Sequence, residues 1–209
     1  FREFTPLIEG LSLDEAFLDV SGSRKLFGDG RAIGVRIKAR IREVTGLTAS
    51  VGIASNKLVA KIASDLDKPD GLAIITADDL HDTLDPLPVA VIPGIGRKTL
   101  EKLEALTIRT VRDLRLAPDR DLESVFGRFA GRARERAAGI DPRPGTLLVL
   151  AAIEFPEVVE HQVAAVRELQ REPVPADLVR GERAGAPLPV EPRQARNAEG
   201  VVTEAQRAV

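Results

Sequence analysis

Two adjacent carboxylates, Asp14 and Glu15, interrupt an otherwise apolar run from Ile8 to Val20. Ile8 and Leu11 lead in, and Phe17, Leu18 and Val20 lead out, so residues 4–20 read as strand, tight turn, strand. Side chains alternate between faces along a strand. At a turn they converge, and two converging carboxylates repel unless a cation sits between them. Hard oxygen ligands of this kind suit Mg²⁺, which takes one or two carboxylates and fills its octahedron with water and substrate phosphates. The plain alternative is a solvated acidic turn. Ser12 shapes that turn, and Asp19, on the outgoing strand, has no expected part in a metal site. A second chemistry sits at Ile92-Pro93-Gly94-Ile95-Gly96, followed at once by Arg97 and Lys98. Glycines let a phosphate approach the backbone, and amides at a helix N-terminus attract anions. This pattern predicts a helix-hairpin-helix that holds phosphate through Gly94, Gly96, Arg97 and Lys98. A tight inter-helical turn without a ligand is its alternative. His81 and His161 are far apart and are read as neither ligands nor bases.

The elements that must position these groups follow in order. Gly30 to Gly46 has helical periodicity, with Ile33, Ile37, Ile41 and Val44 on one stripe and Arg36, Lys38, Arg40 and Arg42 on a solvated face. Thr48 to Ala54 is β-branched and apolar, hence a strand. Ser55 or Asn56 caps the next helix, which runs to about Leu66. Lys68-Pro69-Asp70-Gly71 breaks it before a strand from Leu72 to Ile75. This alternation is an α/β layer arrangement. From Ala77 strand signals stop, and short apolar-periodic stretches predict a small all-helical domain. Its last helix runs from Asp121 or Ser124 to Ala138, closed by Gly139. The expected domains are therefore 1–76, 77–144 and 145–209.

Composition bounds the rest. The chain has 209 residues, 44% hydrophobic and 30% charged, with a net charge of −2 and no Cys. Disulfides and thiolate metal sites are excluded, which fits a reducing compartment. No apolar run reaches the roughly 20 residues of a membrane helix, and no signal peptide opens the chain, so a cytoplasmic location is expected. The first residue is Phe1 and Met is absent, which predicts a truncated start. Positive charge is local: Val89 to Arg143 holds twelve basic and eight acidic residues, an excess of four. From Gly145 the sequence turns rich in Ala, Pro, Val and Glu, with ten acids against seven Arg and one aromatic, Phe155. That composition predicts an irregular, mostly disordered tail. Within it, Leu147 to Ile153 could be a short strand and Glu157 to Glu172 a short helix. A shifted reading frame after Pro144 is one explanation of the change.

Three blocks carry a resemblance to a known family. They are Ser12-Leu13-Asp14-Glu15-Ala16-Phe17-Leu18-Asp19, the run Ser50 to Ser64 continuing through Lys68-Pro69-Asp70-Gly71, and Ile92-Pro93-Gly94-Ile95-Gly96. In this order they resemble the Y-family translesion DNA polymerases of the DNA polymerase IV (DinB) branch, over residues 1 to 144. The resemblance implies a palm, a sheet with two helices on one face, followed by a helix-hairpin-helix thumb. It implies template-directed DNA synthesis with two Mg²⁺ ions, primer-template DNA and deoxynucleoside triphosphates, and a sliding clamp for the full-length family. It gives Asp14 the role of bridging both metals, Glu15 that of binding the metal at the primer, and Lys68 contact with the incoming triphosphate. Lys68 alone reads equally well as a helix-terminal surface lysine.

The family's third carboxylate, its ribonucleotide-excluding aromatic residue and its fingers precede the matched region, and its β-rich little finger follows it. None has a counterpart in this sequence, and Glu9 lies too close to the hairpin to replace the carboxylate. Robust catalysis by these 209 residues alone is therefore not expected. Two other readings compete. One is a non-catalytic DNA-binding remnant that uses only its helix-hairpin-helix. The other is a phosphate-metabolite enzyme built on Asp14 and Glu15, which leaves the thumb unexplained.

Overall fold

The computed structural model describes residues 1–143 and 147–154. The chain opens with a hairpin of β1 (Ile8–Gly10) and β2 (Glu15–Asp19), paired antiparallel with Glu9 opposite Phe17. A short helix α1 (Arg24–Phe27) leads into α2 (Gly30–Thr45). Asp29 caps α2 by accepting from the Ala32 amide, and Gly46 closes it in the left-handed conformation, φ 72°. Ile33, Ile37 and Ile41 form its buried stripe. Val44, expected on that stripe, is 63% exposed, because it lies in the fraying last turn, past the edge of the sheet contact. The expected solvated face is also more engaged than its charges suggest. Lys38 donates to the Asp70 and Gly71 carbonyls and pairs with the Asp70 carboxylate at 2.9 Å.

Next come β3 (Thr48–Ala54), α3 (Lys57–Leu66) and β4 (Leu72–Ile74). β4 runs parallel to β3, as a strand-helix-strand unit requires. One further strand, β5 (Leu148–Glu154), completes a mixed five-stranded sheet in the order β1-β2-β5-β3-β4. β5 is antiparallel to both neighbours, with Leu150 opposite Phe17 on one side and Gly52 on the other. The composition shift at Gly145 predicts an irregular tail, whereas Leu148–Glu154 is the middle strand of the sheet. Its apolar residues Leu148 to Ala152 are buried throughout, so the run satisfies both its edges and both its faces. Phe155, the helix expected at 157–172 and the remaining tail lie outside the described residues.

The two helices do not share one face of the sheet, contrary to expectation. α2 covers the face carrying Ala16, Leu18, Val51, Ile53, Val149 and Ala151, while α3 covers the face of Phe17, Gly52, Leu148 and Leu150. The physical reason is legible in β3, whose residues from Ala49 to Ala54 are all buried. An unbroken apolar run is the mark of a strand covered on both sides. Gly52 permits the α3 contact: a Cβ there would fall 2.1 Å from the Ala60 carbonyl oxygen.

The all-helical part comprises α4 (Leu80–Leu84), α5 (Arg97–Ala105), α6 (Val111–Leu116), α7 (Asp119–Phe126) and α8 (Ala130–Ala137). The single helix expected from 121 or 124 to 138 is broken in two at Gly127, which takes φ 55° and turns the chain before α8 begins. Thr110 and Asp113 form a reciprocal capping box on α6. Leu84, Val89, Ile92, Leu103, Val111, Leu114 and Leu122 join one core with Leu58, Val59 and Ile62 of α3. Polar contacts reinforce that junction. Asn56 donates to the Gly139 carbonyl at 2.9 Å, and the Asp141 carboxylate accepts the Leu58 amide at 3.1 Å.

Candidate active site

The Asp14-Glu15 hairpin is closed by its own backbone. The Leu11 amide donates to the Glu15 carbonyl at 2.8 Å, and the Ser12 hydroxyl donates to Asp14 Oδ1 at 2.7 Å. The turn is seated on β5, where the Ile153 amide donates to the Asp14 carbonyl at 2.8 Å. Leu11 and Leu13 flank the acids and are 46% and 51% exposed.

Glu15 points to the α3 face and meets Lys61 at 2.8 Å. Lys61 also bonds Asp65 at 2.9 Å, and Asp65 bonds Lys68 at 2.7 Å. One chain of alternating charge thus runs from the hairpin to Lys68. Burial works against the charges on Lys61 and Asp65, but their hydrogen bonds outweigh it: the lysine pKa is raised and the carboxyl pKa lowered. Both groups stay ionised near neutral pH. Beside them, Lys57 pairs with Glu9 and lies 5.8 Å from the Phe17 ring centroid. Sequence reasoning gives neither Lys57 nor Lys61 a place in the site. Their only signal is an i, i+4 pair of lysines in a helix whose other positions are almost all apolar, which leaves both heads aimed at the sheet.

Lys68 sits on a loop fixed from three sides. Besides Lys38, the Glu154 carboxylate accepts the Asp70 amide at 2.8 Å, and the Ser50 hydroxyl accepts the Gly71 amide at 3.1 Å. Glu154 is held by the Thr48 and Ser50 hydroxyls at 3.0 and 2.5 Å. Asp19, on the same strand as Glu15, accepts the Ser21 amide at 3.0 Å and so ends β2.

The hairpin at Ile92-Pro93-Gly94-Ile95-Gly96 precedes α5, with Gly96 as its N-cap. Gly94 takes φ 92°, a conformation that other residues adopt only with strain. A Cβ on Gly96 would meet nothing within 4 Å, so the backbone at the head of α5 is open. Arg97 and Lys98 are exposed there. From behind, Arg136 of α8 donates to the Pro93 carbonyl at 2.7 Å and fixes the turn.

Known proteins resemble the first two thirds of this chain. Residues 1–65 match the impB/mucB/samB family, and residues 77–108 match the helix-hairpin-helix motif of the same group. The chain is 47% identical over 144 residues to DNA polymerase IV of Desulfatibacillum aliphaticivorans and 49% identical over 144 residues to that of Alkalilimnicola ehrlichii. Each alignment covers 69% of this chain, and 36% and 41% of the relatives respectively. Solved DinB from Sulfolobus solfataricus superposes with a TM-score of 0.60 at 34% identity, over 68% of this chain and 42% of that one. A Dbh ternary complex gives 0.61 at 34% identity, over 69% and 44%. Over its first two thirds the chain resembles part of a DinB-type Y-family polymerase. The chain spans about two fifths of the relatives it matches.

Similarity to these polymerases implies a divalent metal requirement. The hairpin's donors fit such an ion in kind, since Asp14 and Glu15 are hard oxygen ligands on adjacent residues. Among the described residues no group of three His, Cys, Asp or Glu side chains could hold a metal. A divalent ion held by Asp14 and Glu15 would need further oxygen donors from water and substrate phosphate. No described helix is long and apolar enough to cross a membrane.

Proposed function

We propose that this chain carries the metal-binding and strand-holding parts of a template-directed nucleotidyl transferase acting on primer-template DNA. The observation that carries the reading is the charge chain Glu15–Lys61–Asp65–Lys68, which ties the acidic hairpin to a cation on a clamped loop. Two Mg²⁺ ions at the hairpin would stabilise the attacking 3′-hydroxyl and the leaving oxygen during in-line displacement at the α-phosphate. Asp14 would bridge the ions and Glu15 would hold the one at the primer. Holding an ion would take Glu15 away from Lys61, which Asp65 would still neutralise. Lys68, on its clamped loop, meets the triphosphate and offsets its charge. The hairpin at Gly94 and Gly96, with Arg97 and Lys98, grips the duplex through phosphates and without reading bases. Cytoplasmic action and docking to a sliding clamp belong to the same proposal.

The test is single-nucleotide incorporation on a primer-template with protein in excess and Mg²⁺ varied. Slow, metal-dependent incorporation is expected. It should disappear in Asp14→Asn and in Glu15→Gln while duplex affinity stays unchanged. Incorporation indifferent to both substitutions, or no metal dependence at any protein concentration, overturns the reading.

A further inference from the structure

Behind the hairpin turn lies a cleft of about 400 Å³, formed by Ile92 to Ile95 on one wall and by Phe126, Phe129, Arg132, Ala133 and Arg136 on the other. Its volume falls at the lower end of the range for small-ligand pockets, about 300–1,000 Å³. No carboxylate lines it. Arg128, Arg132 and Arg136 recur at helical spacing of four, and so sit on one side of the turn and helix that bear them. Arg134, on the other side of α8, is engaged elsewhere: it donates to the Ala117 and Arg115 carbonyls and to Asp119. On the cleft side Arg132 and Arg136 make no ion pair among the described residues. Arg136 uses one N–H on the Pro93 carbonyl, and a guanidinium has five. Phe129 is 52% exposed beside them, with the Arg128 guanidinium 4.9 Å from its ring centroid.

An aromatic ring left in water next to unpaired guanidinium groups is poorly matched to a smooth duplex backbone, which offers phosphates but no exposed base faces. It matches a nucleotide whose base is free to stack, because stacking and a cationic track are the two components of single-strand binding. We propose that this cleft takes one unpaired nucleotide of a DNA strand, with its phosphate on Arg132 and Arg136 and its base on Phe129. The inference rests on the nucleic-acid reading of the thumb, but places a second contact on α8 with a different strand preference from the hairpin. A strand leaving the duplex beside Gly94 enters the cleft directly, since Gly94 lies in its wall.

Fluorescence anisotropy of the full chain, with a labelled thymidine oligomer of about eight nucleotides and with a blunt duplex, tests this. Phe129→Ala should weaken the oligomer about five-fold or more and leave the duplex within about two-fold. Arg132→Ala should weaken the oligomer too and lower its log affinity–log salt slope by about 0.7. Gly96→Val should weaken the duplex instead. If Phe129→Ala lowers the melting temperature, Phe129→Leu, which keeps the apolar bulk and removes the π face, serves in its place. The proposal is overturned if the Phe129 and Arg132 variants bind the oligomer as the parent does, if they lose oligomer and duplex alike, or if the parent binds no oligomer. A Gly96→Val variant with unchanged duplex affinity, beside the expected loss at Phe129, removes the hairpin reading and leaves the cleft standing.

Discussion

The acidic hairpin of the sheet and the cleft behind Gly94 treat charge differently, although elsewhere in the helical part Arg97, Arg115 and Arg134 are paired with carboxylates. Around the acidic hairpin nearly every ionic group is committed: Glu15 to Lys61, Lys61 to Asp65, Asp65 to Lys68 and Glu9 to Lys57. Around the hairpin at Gly94 the cations Lys98, Arg132 and Arg136 make no ion pair among the described residues. The first region is balanced as it stands, and an ion at Glu15 would have to displace Lys61. The second keeps cations without a carboxylate partner, which on the proposed reading suits an anion. Open cation sites cost little at a surface where water screens them.

The comparison breaks most completely if the two regions fall together, and they share a core through α3. Leu150→Ala, at the middle of β5, should cost about 2–5 kcal/mol and lower a single melting transition. Two separate transitions, with the helical part unaffected, would show that the shared core does not couple them. Next in size is the exchange of partners at the acidic hairpin. Asp14→Asn and Glu15→Gln should each weaken Mn²⁺ binding, followed by electron paramagnetic resonance, about ten-fold or more. Lys61→Ala should strengthen it, because the competing cation is gone. Weaker binding in Lys61→Ala would mean that the lysine supports the site and does not compete for it.

A smaller effect attends the junction at Asp141. Burial raises its pKa, but hydrogen bonds from Arg143 and from the Leu58 amide outweigh that and hold the carboxyl below its usual value. A depressed carboxylate stabilises the fold above its unfolded pKa and loses that contribution as pH falls through the folded value. Asp141→Asn should therefore destabilise the protein by about 1–3 kcal/mol near neutral pH. The gap to the parent should narrow on acidification below about pH 4, measured by urea unfolding across pH. A gap that stays constant with pH would assign Asp141 a packing role only. The smallest expected change is at the open helix head. Gly96→Val meets no atom of the protein itself, so the fold should keep its melting temperature. The salt slope of duplex binding should fall by about 0.9 for each phosphate that the variant no longer neutralises.

Much of this was legible in the residues. The hairpin at 8–19, the stripe Ile33-Ile37-Ile41, the Asn56 cap and the turn at Gly94 all follow from local pattern, because each is decided within one or two turns of chain. What the sequence hid was decided at a distance. Leu148–Glu154 carries no polar alternation, and nothing local states that such a run belongs between β2 and β3. Lys38 looks like one charge among four on a helix, and only the folded loop at Asp70 singles it out. Lys57 and Lys61 hide in an apolar helix for the same reason: their partners Glu9 and Glu15 are 48 and 46 residues away. The break at Gly127 was hidden differently, since a glycine inside a periodic stretch is compatible with either an unbroken helix or a turn.

The place of β5 also sets a timetable. β2 and β3 are made before the strand that joins them, which comes last among the described residues, and the Leu147 amide that anchors to the Ser21 hydroxyl lies 126 positions further on. Contacts this far apart in sequence close slowly, because a long loop must be ordered before they form. Until residue 154 has cleared the ribosome, β2 and β3 each present an apolar edge with unsatisfied amides and carbonyls, the kind of edge that recruits strands from other chains. Before β5 is made, β1-β2 and β3-β4 are two halves of a sheet with no strand between them. The order of the strands leaves those edges open to other chains until β5 pairs with both.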